Sequence, residues 1–320
     1  MGEFCVKKSL GCALALGAAA LPAAGLGVSE YFMRVAVDRD PPRSYARAQE
    51  HKKPEDDPYA VFEPDWERLR GSPHERVEIR SHDGLRLVGH WFPAPGAKRV
   101  ILAVHGWRSR WYKDFCGICR FWSENDCSVL YIEQRAQGES EGKYMGFGLL
   151  EREDCLDWLR WLEARCGTAL PVYLAGISMG ASTVLLLADR ELPAQVRGIT
   201  ADCGFTSPDA IWEHVARDGF HLPYGLLRGC AVLLFRLRTG LRPDAASTTE
   251  ALRRTRLPVL LVHGEDDDFV PPEMSRENFE ACAGPKTLLT VPGAIHGLSY
   301  TVDKAGYQAA VRRFWEACEG

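Results

Sequence analysis

Three residue types that together perform nucleophilic acyl chemistry follow one another along this chain: Ser178 in "LAGISMGAS", Asp266, Asp267 and Asp268 in "VHGEDDDFVPP", and His296 in "VPGAIHGLS". A serine hydroxyl is a weak nucleophile near neutral pH. It becomes an effective one when an imidazole takes its proton and a carboxylate orients the imidazole. The chemistry would be attack on an acyl carbonyl and formation of a covalent acyl-enzyme. Ser178 also lies between Gly176 and Gly180, a GxSxG pattern. That pattern recurs by accident in glycine-rich chains, and it carries weight only between a strand and a helix.

The surrounding pattern supplies such elements. Residues 75–94, "ERVEIRSHDGLRLVGHWFPA", are two alternating runs around His82-Asp83-Gly84, which predicts a hairpin. "RVILAVHG" (99–106), "CSVLYIEQ" (127–134), "LPVYLAGIS", "VRGITADCG", "LPVLLVHG" and "KTLLTVPG" are near-continuous apolar runs, as expected of parallel strands covered on both faces. Apolar residues at helical spacing fall between them, over 149–167, after Ser178, and near 272–282 and 303–318. Strand and helix alternate, which predicts an α/β fold with a mostly parallel sheet and helices on both faces.

Ligands of such sheets sit at the carboxyl ends of the strands. Ser178, the aspartate run and His296 each follow a strand, in the order serine, acid, histidine. The glycines have a physical reason, because a sharp strand-to-helix turn leaves no room for side chains beside the serine. On residue types alone the three aspartates are equivalent, and Asp202 after "GITA" is a further candidate acid one strand earlier. His105 and His263 lie in His-Gly turns, where bonding to the local backbone is the expectation.

With these motifs in place, residues 75–318 resemble the α/β-hydrolases, and within them the Bem46-like and serine aminopeptidase groups. The resemblance is carried by "GISMGAS", by the HGxxDxxVP form of His263 to Pro271, and by His296-Gly297. It implies that Asp267 is the triad acid. It also implies an oxyanion hole made by the backbone N–H groups of Trp107, after "LAVHG", and of Met179. Neither metal nor organic cofactor is implied. "EQRAQGESEG" (133–142) resembles the DxRGxGxSxG loop that shapes the pocket, with Glu133 and Ala136 in place of the usual aspartate and glycine. The function implied is a serine hydrolase acting on a small acyl compound, a carboxylic ester first. Peptidases, thioesterases and acyltransferases share this apparatus, and a non-catalytic binding protein on the same fold is the competing class.

Residues 205–256 interrupt the alternation where this fold inserts a lid. "FHLPYGLLRGCAVLLFRLRTG" is apolar enough to roof the site, and such a roof favours substrates with an apolar part. His214 and His221 are candidates to face that pocket. The N-terminus is a separate segment: Leu10 to Val28 is uncharged over 19 residues and follows Lys7 and Lys8. That length suits a membrane anchor over 1–33 with the body outside the cytoplasm. A cleaved signal and a cytoplasmic body are the alternatives. Residues 34–74, rich in proline and charge, would then be an extended tether to a hydrolase domain over 75–320.

Composition closes other classes. A formal net charge of -4, with charges of both signs interleaved, leaves no basic footprint for nucleic acid. Eleven cysteines, an odd number scattered through apolar segments, read as buried hydrophobes. Cys116 and Cys119 form a CxxC that the flanking "WYKDFCGICRFW" assigns to the buried face of a helix, and no second pair completes a zinc set. No residue pattern speaks to oligomeric state.

Overall fold

The computed structural model describes residues 25–51, 53 and 57–320. The apolar runs form one eight-stranded sheet: β1 (Glu75–Arg80), β2 (Arg86–Phe92), β3 (Arg99–Val104), β4 (Cys127–Ile132), β5 (Val172–Ile177), β6 (Val196–Asp202), β7 (Val259–Gly264) and β8 (Lys286–Val291). Their order is β1-β2-β4-β3-β5-β6-β7-β8. The expected hairpin pairs Arg80 with Arg86 and runs antiparallel to β4 at one edge. The other six strands are parallel. β4 and β7 are buried along their whole length, as continuous apolar strands covered on both faces must be.

The helices are α1 (25–36), α2 (Arg43–Glu50), α3 (Glu63–Gly71), α4 (Trp111–Phe115), α5 (Cys119–Glu124), α6 (Glu151–Cys166), α7 (Met179–Leu185), α8 (Pro208–His214), α9 (Tyr224–Thr239), α10 (Thr248–Leu252), α11 (Pro272–Ala281), α12 (Ser299–Val302) and α13 (Lys304–Glu319). Trp158, Leu159 and Leu162 of α6 and Val184 and Leu185 of α7 pack on one face of the sheet. Phe115, Phe121 and Trp122 from α4 and α5, with Phe314 and Trp315 of α13, cover the other. Each such side chain contributes about 1.5–3 kcal/mol by leaving water. This two-faced packing holds the strand ends, and hence the site, in place.

A third cluster lies beneath the insertion after β6. Ile211, Trp212, Tyr224, Ala231 and Phe235 of α8 and α9 meet Met33 and Val37 from the N-terminal segment. The lid is narrower than 205–256, because Thr248, Ala251 and Leu252 of α10 are buried in the body of the protein.

Two further expectations change. Residues 34–74 are not an extended tether: α2 and α3 are helical, Val37 and Leu69 are buried, and Asp38 bridges to Tyr144. Charge and proline density hid this, because the stretch is held by a few long-range contacts with no periodic apolar face. The CxxC does not lie on one helix, since Cys116 follows α4 and Cys119 opens α5. Both thiols are free, and burial pushes that of Cys116 up to about 12. Residues 10–24 of the expected anchor lie outside the described residues, while 25–36 are helical, with Ser29 and Met33 buried. Among the described residues no helix is long and apolar enough to cross a membrane.

Candidate active site

β5 ends at Ile177, and the next residue, Ser178, turns with φ 56° and ψ −120°, a left-handed conformation that non-glycine residues rarely adopt. The turn explains the flanking glycines. A Cβ at Gly180 would overlap the Val104 carbonyl oxygen, and one at Gly176 the Gly180 carbonyl. The strand-helix turn is thus pressed against the end of β3, and Gly106 sits 3.2 Å, measured from an ideal Cβ, from the Ser178 Cβ. Met179 follows as the first residue of α7, where a helix leaves its N–H without an intrahelical acceptor.

Ser178, Asp267 and His296 come together as the order of residues required. His296 Nε2 lies 2.9 Å from Ser178 Oγ, and His296 Nδ1 lies 2.7 Å from Asp267 Oδ2. The carboxylate accepts the hydrogen bond of Nδ1–H, so the Nε2 lone pair faces the hydroxyl and accepts its hydrogen bond.

Asp267 is also separated physically from its neighbours. Asp266 and Asp268 are exposed, whereas Asp267 is 4% exposed. Its Oδ1 accepts the N–H groups of Phe269 and Val270 at 3.0 and 2.9 Å. Burial pushes its carboxyl up, but bonds from His263, His296 and Val270 N–H outweigh this and hold it well below the usual carboxylate range. Asp202 does not reach His296 as the acid. It accepts Ser299 Oγ at 3.0 Å, and burial raises its pKa.

The two His-Gly histidines differ from the expectation in one respect. His105 Nδ1 donates to Gly106 O at 2.8 Å, and its Nε2 accepts Gln134 N–H at 3.2 Å, a backbone role. His263 also bonds backbone, donating through Nε2 to Val270 O at 2.8 Å, but the same nitrogen lies 3.2 Å from Asp267 Oδ2. Its place four residues before Asp267 in HGxxD was the signal for that contact.

Sequence reading missed further groups. Tyr59 donates its hydroxyl to His296 O at 2.7 Å, and the Phe269 ring packs edge-on to the imidazole at 5.0 Å. Arg108, just past Trp107, donates to the carbonyls of Val35, Asp38 and Arg39, while Trp107 Nε1 donates to Ala36 O. These bonds lash the N-terminal segment over the site. The 133–142 loop lines neither cavity at Ser178. It fastens that segment instead, through Arg39 to Ser140 O and Gly138 O. Ala136 keeps φ at 59° without the glycine the pattern prefers. His214 pairs with Asp218 and bonds Asp268 O, and His221 is exposed, so neither enters the cavities.

Two cavities of about 320 Å³ each meet at Ser178. One is apolar and roofed by α1 and the lid, with Phe32, Met33, Phe147, Phe205, Trp212 and Ala231 in its walls. The other is more polar, with Tyr59, Lys113, Asp114, His296 and Tyr300. Among the described residues two groups bring three ligand-type atoms within 4.8 Å: Cys203 with Asp267 and His296, and His82 with Asp154 and Asp157. In the first, burial pushes the Cys203 thiol well up, and the carboxylate and imidazole bond one another. In the second, Asp154 is taken by Arg135. Neither set suits a resident cation.

Residues 99–257 match the family model of the alpha/beta hydrolase fold. The uncharacterized protein YqkD of Bacillus subtilis is 29% identical over 187 residues, 58% of this chain and 61% of that protein. The lysophosphatidylserine lipase ABHD12 of Danio rerio is 27% identical over 164 residues, 50% of this chain and 41% of that protein. Among solved structures, the esterase Pf2001 of Pyrococcus furiosus superposes with a TM-score of 0.64 at 22% identity, covering 79% of this chain and 94% of that one. With the sheet order, the strained serine turn and these likenesses together, the chain belongs to the α/β-hydrolase superfamily and has its fold.

Proposed function

We propose that this hydrolase is a serine esterase that cleaves carboxylic esters with an apolar acyl part. The observation that carries the reading is the Ser178–His296–Asp267 chain of bonds at 2.9 and 2.7 Å, placed where an apolar cavity meets a polar one. His296 Nε2 removes the proton from Ser178 Oγ as the oxygen attacks the acyl carbonyl. Asp267 holds the imidazole and balances the charge it gains. The backbone N–H groups of Met179 and Trp107 stabilise the tetrahedral oxyanion, each worth about 3 kcal/mol. The imidazolium then protonates the departing alkoxide, and a water deprotonated by the same nitrogen frees the acid.

The apolar cavity takes the acyl chain and the polar one the alcohol. A volume of about 320 Å³ lies at the lower end of ligand-sized pockets and leaves room for more than an acetyl group. The test is a series of p-nitrophenyl esters from acetate to dodecanoate beside a set of aminoacyl anilides. Faster turnover of esters longer than butyrate supports the reading, and turnover of the anilides alone replaces it with a peptidase. The reading includes attachment to a membrane through the uncharged run 10–28 behind Lys7 and Lys8. Release of the intact chain by carbonate extraction would overturn that part.

A further inference from the structure

Helix α9 is apolar on two sides. Tyr224, Ala231 and Phe235 are buried against the lid cluster. Leu226, Cys230, Leu233 and Leu237 fall at i, i+4, i+7 and i+11, a single stripe on a different face. Leu226 is 82%, Leu233 53% and Leu237 73% exposed. Scattered exposed leucines are ordinary on a protein surface, but a stripe continuous with a cavity mouth is not.

The continuity runs through the rim. Phe220 is 55% and Tyr31 41% exposed, yet both also line the apolar cavity, and the Phe220 ring meets that of Phe32 at 4.9 Å. Leu227, next to Leu226, lines the cavity as well. Helix α1 crosses α9 at this point: Ser29 Oγ donates to Leu227 O at 3.5 Å, and position 25 lies against the Leu227 side chain. Leu26 and Val28 of α1 are exposed. Arg238 bonds Glu30 and Asp38, so α1 and α9 form one surface.

We infer that this surface, the outer stripe of α9 with Leu26, Val28, Tyr31 and Phe220, rests on a lipid bilayer, from which the acyl chain of the substrate passes directly into the apolar cavity. The second part rests on the reading of that cavity as the acyl site. Two further observations favour lipid as the occupant. The uncharged residues 10–24 lead into Gly25, which lies at the end of α9 where the stripe begins. Of the three arginines of α9, Arg228 pairs with Asp209 and Asp244 and Arg238 with Glu30 and Asp38, which leaves Arg236. Arg236 is exposed and adjoins Leu237, where an anionic headgroup would meet it. Apolar side chains flanked by arginine are the pattern of an interfacial helix.

The test uses the full chain reconstituted in vesicles of phosphatidylcholine and phosphatidylglycerol that include a phosphatidylcholine with a diazirine on its acyl chain. Lipid adducts are mapped by mass spectrometry after photolysis. The parent and Ser178→Ala are expected to carry adducts in 220–238 and 25–33. The triple variant Leu226→Ser, Leu233→Ser, Leu237→Ser should lose those in 220–238 and keep any in 10–24. It should hydrolyse dissolved p-nitrophenyl butyrate within about twofold of the parent, yet a long-chain ester offered in the vesicles at least about tenfold more slowly. Adducts confined to 10–24, or unchanged in the triple variant, overturn the docking. So does a dimer in detergent that the same substitutions dissolve, since the stripe would then face a second copy. Adducts at 220–238 in a parent that hydrolyses neither ester support the docking and overturn the esterase reading instead.

Discussion

His263 and Asp267, four residues apart, lie with Nε2 3.2 Å from Oδ2, and both side chains are wholly buried. The carbonyl of Val270 can only accept, so Nε2 carries the proton, and Nδ1 receives the Ser275 hydroxyl at 2.6 Å. The carboxylate bonded to His296 is therefore itself held by a second imidazole whose tautomer is set from behind.

His263 contacts Asp267 and lines neither cavity at Ser178, so in the proposed mechanism it is a positioning residue. Replacing it with leucine removes a donor to a buried carboxylate, worth roughly 1.5–3 kcal/mol. The expected result is a fall in kcat of about tenfold or more with KM within about twofold, because the loss concerns orientation of the base and not ground-state binding. Ser275→Ala should move kcat in the same direction by less. Steady-state kinetics on p-nitrophenyl butyrate check both.

The lowered pKa of Asp267 has a stability consequence. The folded state binds this proton more weakly than the unfolded chain, so the stabilisation is complete above the unfolded value of about 3.9 and is lost as pH falls through the folded value. The difference in urea midpoint between the parent and Asp267→Asn should stay constant from about pH 8 to pH 5 and shrink below about pH 4. Denaturation at several pH values checks it. The asparagine variant should also lose about 10⁴ in kcat at pH 7, because the wrong nitrogen of His296 then faces Ser178.

Ala216 lines the apolar cavity from the short π-helix Val215–Gly219 that follows α8. Ala216→Trp fills space that a long acyl chain needs and a short one does not. kcat/KM for p-nitrophenyl octanoate should fall about tenfold or more while that for acetate changes less than about threefold, the scale on which methylene groups are discriminated. An equal effect on both esters would place the acyl chain elsewhere.

Arg108 stands with φ 51° and spends its guanidinium on the carbonyls of Val35, Asp38 and Arg39. Arg108→Ala leaves those carbonyls without a donor and releases the end of α1 from the site. KM for long-chain esters should rise several-fold more than for acetate, since Phe32 and Met33 wall only the apolar cavity. Comparing KM along the ester series checks it, and thermal unfolding should drop by no more than the few degrees expected of about 1–2 kcal/mol.

Much of this is legible in the amino-acid sequence. Parallel strands announce themselves because burial on both faces demands unbroken apolar runs, and the ends of those runs point to Ser178, the aspartates and His296. Choosing Asp267 among three aspartates needed a family pattern. The physical distinction, burial together with the amides of Phe269 and Val270, depends on how the loop folds back. The role of residues 34–74 was hidden for a related reason: Arg108 and Trp107 bind that stretch through its carbonyl groups, which every residue has and no sequence pattern reveals. The single helix expected around Cys116 and Cys119 fails at Gly117, between the two short helices, against which Tyr300 packs.

The central claim is that Ser178 is an activated nucleophile, and labelling with a fluorophosphonate tests it without any knowledge of the substrate. The phosphonyl group should be recovered on Ser178 of the parent by peptide mass mapping, be absent from Ser178→Ala, and form far more slowly in His296→Ala, which keeps the hydroxyl but loses its base. A parent that resists the probe, or a Ser178→Ala variant labelled as fast as the parent, would contradict the account.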